Sequence, residues 1–479
     1  MKKRFLWLPV FIFTFFFISC ESRVTSSNNE LGTDETSKID SETTDDSVID
    51  IETDDKTDDK ADDKTDDKTG GDGDKTNDKT DDKLDPETEL KYAKSDGKAK
   101  SVAGGFVSSN TEFALRMFQA LLEEDSGENI FISPISISIA LAMTMNGASG
   151  NTFNAMMEAL EFTGLTLDNV NNNVLNLIES LEYPDKDILL ALANSIWVNP
   201  DYMPVIRESF IESLEEYYLS GVFEATSPKE INKWIEDHTG GHIKDMIKGF
   251  PDDFVMYLIN AIYFKGTWAT QFDKELTKEA YFTKEDRTKV KVDMMTLRGS
   301  MKFERYGSEE IMGIRLPYGR GKLSFYVFLP IDIDYQPIDE FANSLDQAAL
   351  NKIFNSFYKY EFNTIRLPKF KIEYEKKLND VLIDLGMGAA FSDGFGNMVE
   401  EGVDPPRITA VRHKSFIEVS EEGTEAAAVT VVETGDTGNS SPSSPSYFVV
   451  DRPFFFVIRD DRNGTILFMG KVADPSVLY

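Results

Sequence analysis

The feature that most limits what this chain can build is the tract 21–103. Its repeats run Thr53-Asp54-Asp55-Lys56, Thr57-Asp58-Asp59-Lys60, Ala61-Asp62-Asp63-Lys64, Thr65-Asp66-Asp67-Lys68 and, further on, Thr80-Asp81-Asp82-Lys83. Residues 21–100 hold 27 Asp and Glu against 13 Lys and Arg, and no aromatic side chain precedes Tyr92 in that span. Ordering a backbone costs about 1 to 2 kcal/mol per residue, and a tract so poor in apolar surface has nothing to offset that cost. The composition therefore predicts a disordered acidic spacer over 21–103, extended by its own charges. The folded domain is expected over 104–479.

Ahead of the spacer, Lys2, Lys3 and Arg4 precede an apolar run over 5–18. Its 14 residues fall short of the roughly 20 that a membrane-spanning helix needs, so 1–20 reads as a secretory signal peptide. The run closes on Phe17-Ile18-Ser19-Cys20, which resembles a bacterial lipobox except that Phe17 stands where that motif carries Leu. Cys20, the sole cysteine, becomes the candidate for lipidation. A lipid there would hold the protein at the cell envelope, on the outer surface or in the periplasm of a bacterium; without it the chain would be secreted.

The net charge of -34 divides into +3 in the signal, -14 over 21–100 and -23 over 101–479. So acidic a domain repels phosphate and anionic headgroups, which argues against nucleic-acid partners. One cysteine allows no intrachain disulfide and no cysteine zinc site. Only three histidines, His238, His242 and His413, are present, so no metal centre or other cofactor is expected. Acidic pairs such as Glu123-Glu124, Asp252-Asp253 and Glu400-Glu401 read as solvated faces. A hydrolase is disfavoured, because no histidine sits in a recognisable catalytic setting and there is neither a Gly-x-Ser-x-Gly elbow nor a phosphate-cradling loop.

Within 104–479, Phe113, Leu115, Met117, Phe118, Leu121 and Leu122 recur at helical spacing, and 140–145 is a second apolar run. Later stretches, 324–329, 416–419 and 454–458, read as strands. Helices first and strands afterwards predict one α+β domain, not alternating βαβ units.

The stretch 423–432 can be read as a physical object. Thr424, Ala426, Ala428, Thr430 and Val432 are small or β-branched and uncharged, while the alternate set holds Glu425 and Glu433. With period two, one face could be buried in a sheet and the other solvated; on composition alone helix and strand are equally open. The tract 435–446 that follows is Gly-, Ser- and Pro-rich, the kind that proteases nick. A cleavable loop joined to an insertable strand points to a conformational trap.

Across 104–479 the chain resembles the serpin family. The resemblance rests on Asn129-Ile130-Phe131-Ile132-Ser133-Pro134, Gly147-Ala148-Ser149-Gly150-Asn151-Thr152, Ile231-Asn232-Lys233-Trp234 with Thr239-Gly240-Gly241-His242-Ile243, and Asn260-Ala261-Ile262-Tyr263-Phe264-Lys265-Gly266-Thr267-Trp268. It continues through Leu367-Pro368-Lys369-Phe370, His413-Lys414, Arg452-Pro453-Phe454 and Leu467-Phe468-Met469-Gly470. The resemblance implies mixed β-sheets, about eight to nine helices and an exposed reactive centre loop. It implies a protease inhibitor, not an enzyme: a target protease attacks the loop, forms an acyl-enzyme, and is trapped as the freed strand enters the central sheet. The hinge is Glu421, Glu422, Gly423, Thr424, Glu425, Ala426, Ala427 and Ala428, whose small residues permit insertion. Ser133, Ser136, Asn260 and His413 match the family's shutter, and Trp268 the breach where insertion begins. Counting 16 residues on from Glu421 puts the reactive bond between Thr437 and Gly438, although the loop is longer than usual.

Because 432–446 contains no Arg, Lys, Phe, Tyr, Leu or Met, the expected target is an elastase-like or subtilisin-like serine protease, with a cysteine protease as a further option. Lys186, Lys229 and Lys233 are isolated among acids, so no heparin binding is expected, and the inhibitor is expected to be a monomer. The competing readings are a noninhibitory serpin acting as a surface binding or chaperone-like module, and an adhesin working through its acidic tract.

Overall fold

The computed structural model describes residues 86–332, 337–424 and 446–477, all within the unit Asp81–Tyr479. Helices occupy the first part of the chain: α1 Pro86–Ser101, α2 Gly104–Glu124, α3 Pro134–Met145, α4 Gly150–Ala159 and α5 Leu167–Glu182. There are eleven α-helical segments among the described residues, of which two have five residues or fewer. The rest of the unit is mainly strand, in two mixed sheets.

The boundary drawn from composition moves. Pro86–Ser101 lies inside the tract assigned to the spacer, yet it is a helix. Glu87 and Glu89 stand in its first turn and Lys98 and Lys100 in its last, which suits the helix dipole. It packs on α5 through small residues: Ser95 Oγ donates to the Ser180 carbonyl at 2.6 Å, and Ala99 is buried. Charges complete the attachment. Asp96 accepts from Lys322 at 2.8 Å and from Arg462 at 3.2 Å, while Lys98 reaches Glu179. No apolar periodicity marks such a helix, because serine, alanine and ion pairs do the docking.

All twelve residues of α3 are buried, as expected for a helix apolar on every side. Ser133 caps its first turn, accepting from the Ser136 N–H. The helix lies behind a six-stranded sheet whose strands, in chain order, are β1 Ile188–Val198, β2 Val222–Glu224, β3 Met256–Thr267, β4 Phe370–Lys377, β5 Ala410–Val419 and β6 Gly423–Thr424. Their spatial order is β4-β5-β6-β3-β1-β2. β3 runs antiparallel to β1 over eleven residue pairs and parallel to β5 over seven, from Ala410 opposite Tyr257 to Phe416 opposite Tyr263. Beyond that point the two strands part, and β6 lies between them.

The nine-stranded sheet is built around Ile466–Val472, Phe454–Asp460 and Leu323–Pro330. Its inner face is aromatic: Phe131 stacks on Phe468 with centroids 5.1 Å apart, and Phe325 on Phe456 at 4.9 Å. Arg462, just beyond this sheet, ties α1 to the body. It donates to Asp460, which is fully buried, at 2.7 Å and to the Ser180 carbonyl at 3.0 Å. Arg462→Ala leaves the Asp460 carboxylate without its counter-ion, and breaking a buried pair costs about 3 to 5 kcal/mol. Urea unfolding followed by tryptophan fluorescence should show a matching fall in midpoint, with 86–101 becoming the first site of proteolysis. An unchanged midpoint would contradict the clamp.

Candidate functional site

The site follows β3 from one end to the other. At the C-terminal end, Gly423 stands opposite Thr267 and Thr424 opposite Gly266, while Thr424 also pairs with Val419 of β5. A Cβ at Gly423 would lie 2.1 Å from the Gly266 carbonyl oxygen, so only glycine lets the chain pass there. Thr424 is completely buried, and its hydroxyl lies 2.6 Å from that of Tyr318. Burial pushes the Tyr318 phenol well above its ordinary value, so it stays a neutral partner. The Tyr318 ring stacks on Trp268 with centroids 4.5 Å apart.

Trp268 also holds the segment leading into the hinge. Its indole Nε1–H donates to the Ser420 carbonyl at 2.9 Å and its backbone N–H to the Glu422 carbonyl at 3.0 Å. The Phe272 N–H donates to the Glu421 carbonyl at 2.9 Å. The two acidic side chains are anchored as well. Glu421 accepts from the Thr277 hydroxyl at 2.8 Å and pairs with Lys369 at 2.9 Å, and Glu422 pairs with Lys274. Burial works to raise the Glu421 carboxyl, but the Lys369 ammonium, its own backbone N–H and the Thr277 hydroxyl outweigh it and hold the group below the ordinary glutamate value.

Midway along β3 a polar row crosses an otherwise apolar sheet. Asn194 of β1, Asn260 of β3 and His413 of β5 are direct cross-strand neighbours. His413 Nδ1–H donates to Asn260 Oδ1 at 2.5 Å, and its Nε2 accepts the Ser133 N–H at 3.3 Å; those partners define a neutral imidazole. The Asn260 amide donates to Asn194 Oδ1 at 2.6 Å and to the Ser136 hydroxyl. Ser133 Oγ donates to the Leu467 carbonyl at 2.7 Å, joining the row to the second sheet. Every polar group finds a partner, as a buried network requires.

Thus Ser133, Ser136, Asn260 and His413 form one cluster, and Trp268, Glu421, Glu422, Gly423 and Thr424 another, at different levels of the same strand. Glu425, Ala426, Ala427, Ala428, Thr437, Gly438 and Cys20 lie outside the described residues. Sequence reasoning missed Asn194, which closes one end of the row by accepting from Asn260 and Ser136, and Tyr318, Thr277, Lys369 and Lys274 around the hinge. Asn194 carried a signal, a lone amide in the apolar strand Ile188–Val198. The others sit in loops, at strand ends and, for Lys274, in a single 3-10 turn, far away in sequence, and nothing local marks them.

The parallel strands β3 and β5 are thus parted at one end by Gly423 and Thr424. A family model described as Serpin (serine protease inhibitor) matches residues 108–475, and the chain belongs to the serpin family. It is 35% identical over 371 residues to Serpin-Z10 of Arabidopsis thaliana, covering 73% of this chain and 93% of that protein. It is 33% identical over 384 residues to the leukocyte elastase inhibitor of Equus caballus, covering 77% and 99%. Among solved structures, the thermophilic serpin Tengpin in its native state superposes with a TM-score of 0.69 at 29% identity, covering 77% of this chain and 94% of that one. Human thyroxine-binding globulin superposes at 0.70 and 26%, covering 78% and 100%. The α+β serpin architecture read from the motifs is therefore the fold of this chain, and its family is one of protease inhibitors.

Burial alone depresses His413, pushing it down to about 3 from its ordinary 6.5. The unfolded chain takes up a proton here below about pH 6.5 and the folded one does not, so this group's contribution is intact above that pH and is lost as pH falls toward 3. The slope approaches about 1.4 kcal/mol per pH unit. Urea midpoints of the wild type should fall from pH 7 to pH 4.5 more steeply than those of His413→Gln, narrowing the gap between them. Parallel falls would show that His413 is not held neutral.

Proposed function

We propose that the chain inhibits serine proteases by suicide trapping: the loop following the hinge is cut, and the freed strand enters between β3 and β5. One observation carries the reading. Thr424, a small and wholly buried residue, already occupies the top of the slot between these strands, directly above their seven parallel pairs. Continued insertion would replace those pairs with two new ladders, one on each side of the incoming strand. The polar row beneath would have to part between Asn260 and His413.

The reactive bond proposed is Thr437–Gly438, and the target class is elastase-like or subtilisin-like, since 432–446 offers neither a basic nor a large apolar residue to the protease. We further propose that Cys20 is lipidated and that the inhibitor works as a monomer tethered to the cell envelope through its acidic spacer.

The test is incubation with pancreatic elastase and with subtilisin. The expected result is a protease complex that survives denaturing electrophoresis, with a released C-terminal fragment whose mass begins at Gly438. Thr424→Arg brings a charge into a site walled by Tyr318 and Trp268, at a cost of several kcal/mol, so this variant should be cleaved as a plain substrate. A stable complex formed by Thr424→Arg as readily as by wild type would contradict insertion. Cleavage of the wild type without any complex would favour the noninhibitory binding module.

A further inference from the structure

The nine-stranded sheet carries a groove of about 480 Å³ whose lining has three cations and no carboxylate. It opens where four strands meet: Lys278–Thr283, Lys289–Gly307, Tyr358–Pro368 and Tyr447–Val449. Register sets its lining. Thr296 stands opposite Arg366 and Arg298 opposite Thr364, while Thr364 and Arg366 in turn face Tyr447 and Val449. Directly opposed residues share a face, so Arg298, Arg366 and Tyr447 all point into the groove, with Lys278 at its far wall. The alternate residues Leu297, Ile365 and Phe448 are buried in the core, which fixes the sheet's orientation.

Among the described residues, the side chains of Lys278, Arg298 and Arg366 make no hydrogen bond, ion pair or ring contact, although their backbones are paired in the sheet. That is unusual in a region carrying a net charge of -23 over 101–479, where acids to pair with are plentiful. Leu276 and Val449 add apolar wall, and the Tyr447 ring, largely exposed, forms the rim. Convergent donors over an apolar lining in a cavity of this size are the ordinary makings of a small-molecule site. The absence of carboxylates sets the sign of the ligand.

We propose that this groove binds a small amphipathic anion: a carboxylate, sulfate or phosphate head held by Lys278, Arg298 and Arg366, on an apolar body lying against Leu276, Val449 and the Tyr447 ring. The site's position gives occupancy a consequence. Thr277, between two lining residues, donates to Glu421 at the start of the hinge, and Tyr447–Val449 is an edge strand held by only three residue pairs. A ligand across the groove ties that edge strand to the segment anchoring the hinge, and so protects 447–449 from opening.

The test is calorimetric titration of the full chain with decanoate, with decyltrimethylammonium and inorganic sulfate as controls. Decanoate should saturate one site and slow amide exchange at 447–449, the cationic amphiphile should not bind, and sulfate should bind more weakly than decanoate. The double variant Arg298→Gln/Arg366→Gln should weaken decanoate about tenfold or more, since it removes two charge-assisted donors. Neither side chain has a partner to lose, so ligand-free unfolding should not change; should the double variant fold poorly, Lys278→Gln on the exposed wall serves in its place and should also weaken binding. No saturable binding, equal binding of the cationic amphiphile, sulfate as tight as decanoate, or wild-type affinity in the variants would overturn the proposal. None of these outcomes depends on whether the chain traps a protease.

Discussion

Everything else in this structure depends on the parallel pairing of β3 with β5. The two strands are far apart in sequence, and they join over only part of their length. Parallel ladders are slightly weaker per residue than antiparallel ones, whereas β3 on its other side is bound to β1 through eleven antiparallel pairs. The seam between β3 and β5 is thus the weaker boundary of the central strand, and the one already parted at an end. Thr424 and Gly423 hold it open there. Tyr318, Trp268 and the ion pairs of Glu421 and Glu422 hold Thr424 and Gly423.

A polar row crosses the same seam. An apolar row would pack at least as well and would avoid the cost of burying an imidazole and two amides. Hydrogen bonds differ from apolar contacts in being discrete: the link from His413 to Asn260 is either made or broken, and each partner keeps a second bond, to Ser133 on one side and to Asn194 and Ser136 on the other. Such a row would divide into two halves under the proposed insertion, the incoming strand supplying a partner to each side of the broken link. The neutral state of His413 is part of this, since a buried imidazolium could not be left facing a backbone N–H.

The family motifs made the architecture legible before any coordinate. Ser133, Ser136, Asn260 and His413 could be singled out for the same reason, being polar residues inside apolar runs with a recognisable order. The partners supplied by distant segments were not legible. Lys369 and Thr277 reach Glu421 from strand ends about 50 and 140 positions away in the chain, and Tyr318 meets Thr424 from across the sheet. The helix Pro86–Ser101 escaped for a different reason: it follows directly on a tract with no core-forming residues, and its own docking face is Ser95 and Ala99 framed by charges, so composition could not separate it from the spacer. The anionic-ligand groove likewise emerges only from register, which places Arg298 beside Thr364 and Arg366 beside Val449 although each arginine alone reads as an ordinary surface residue.

The central claim is that β3 and β5 separate to admit the loop strand. The most direct measurement is the crystallographic Cα separation of Asn260 and His413 after the loop has been cut by protease. Neighbouring strands lie about 4.8 Å apart, so an inserted strand requires that separation to rise to about 9.6 Å, with backbone density continuing down the sheet from Thr424. A cut protein in which Asn260 and His413 remain adjacent and hydrogen-bonded would contradict the account.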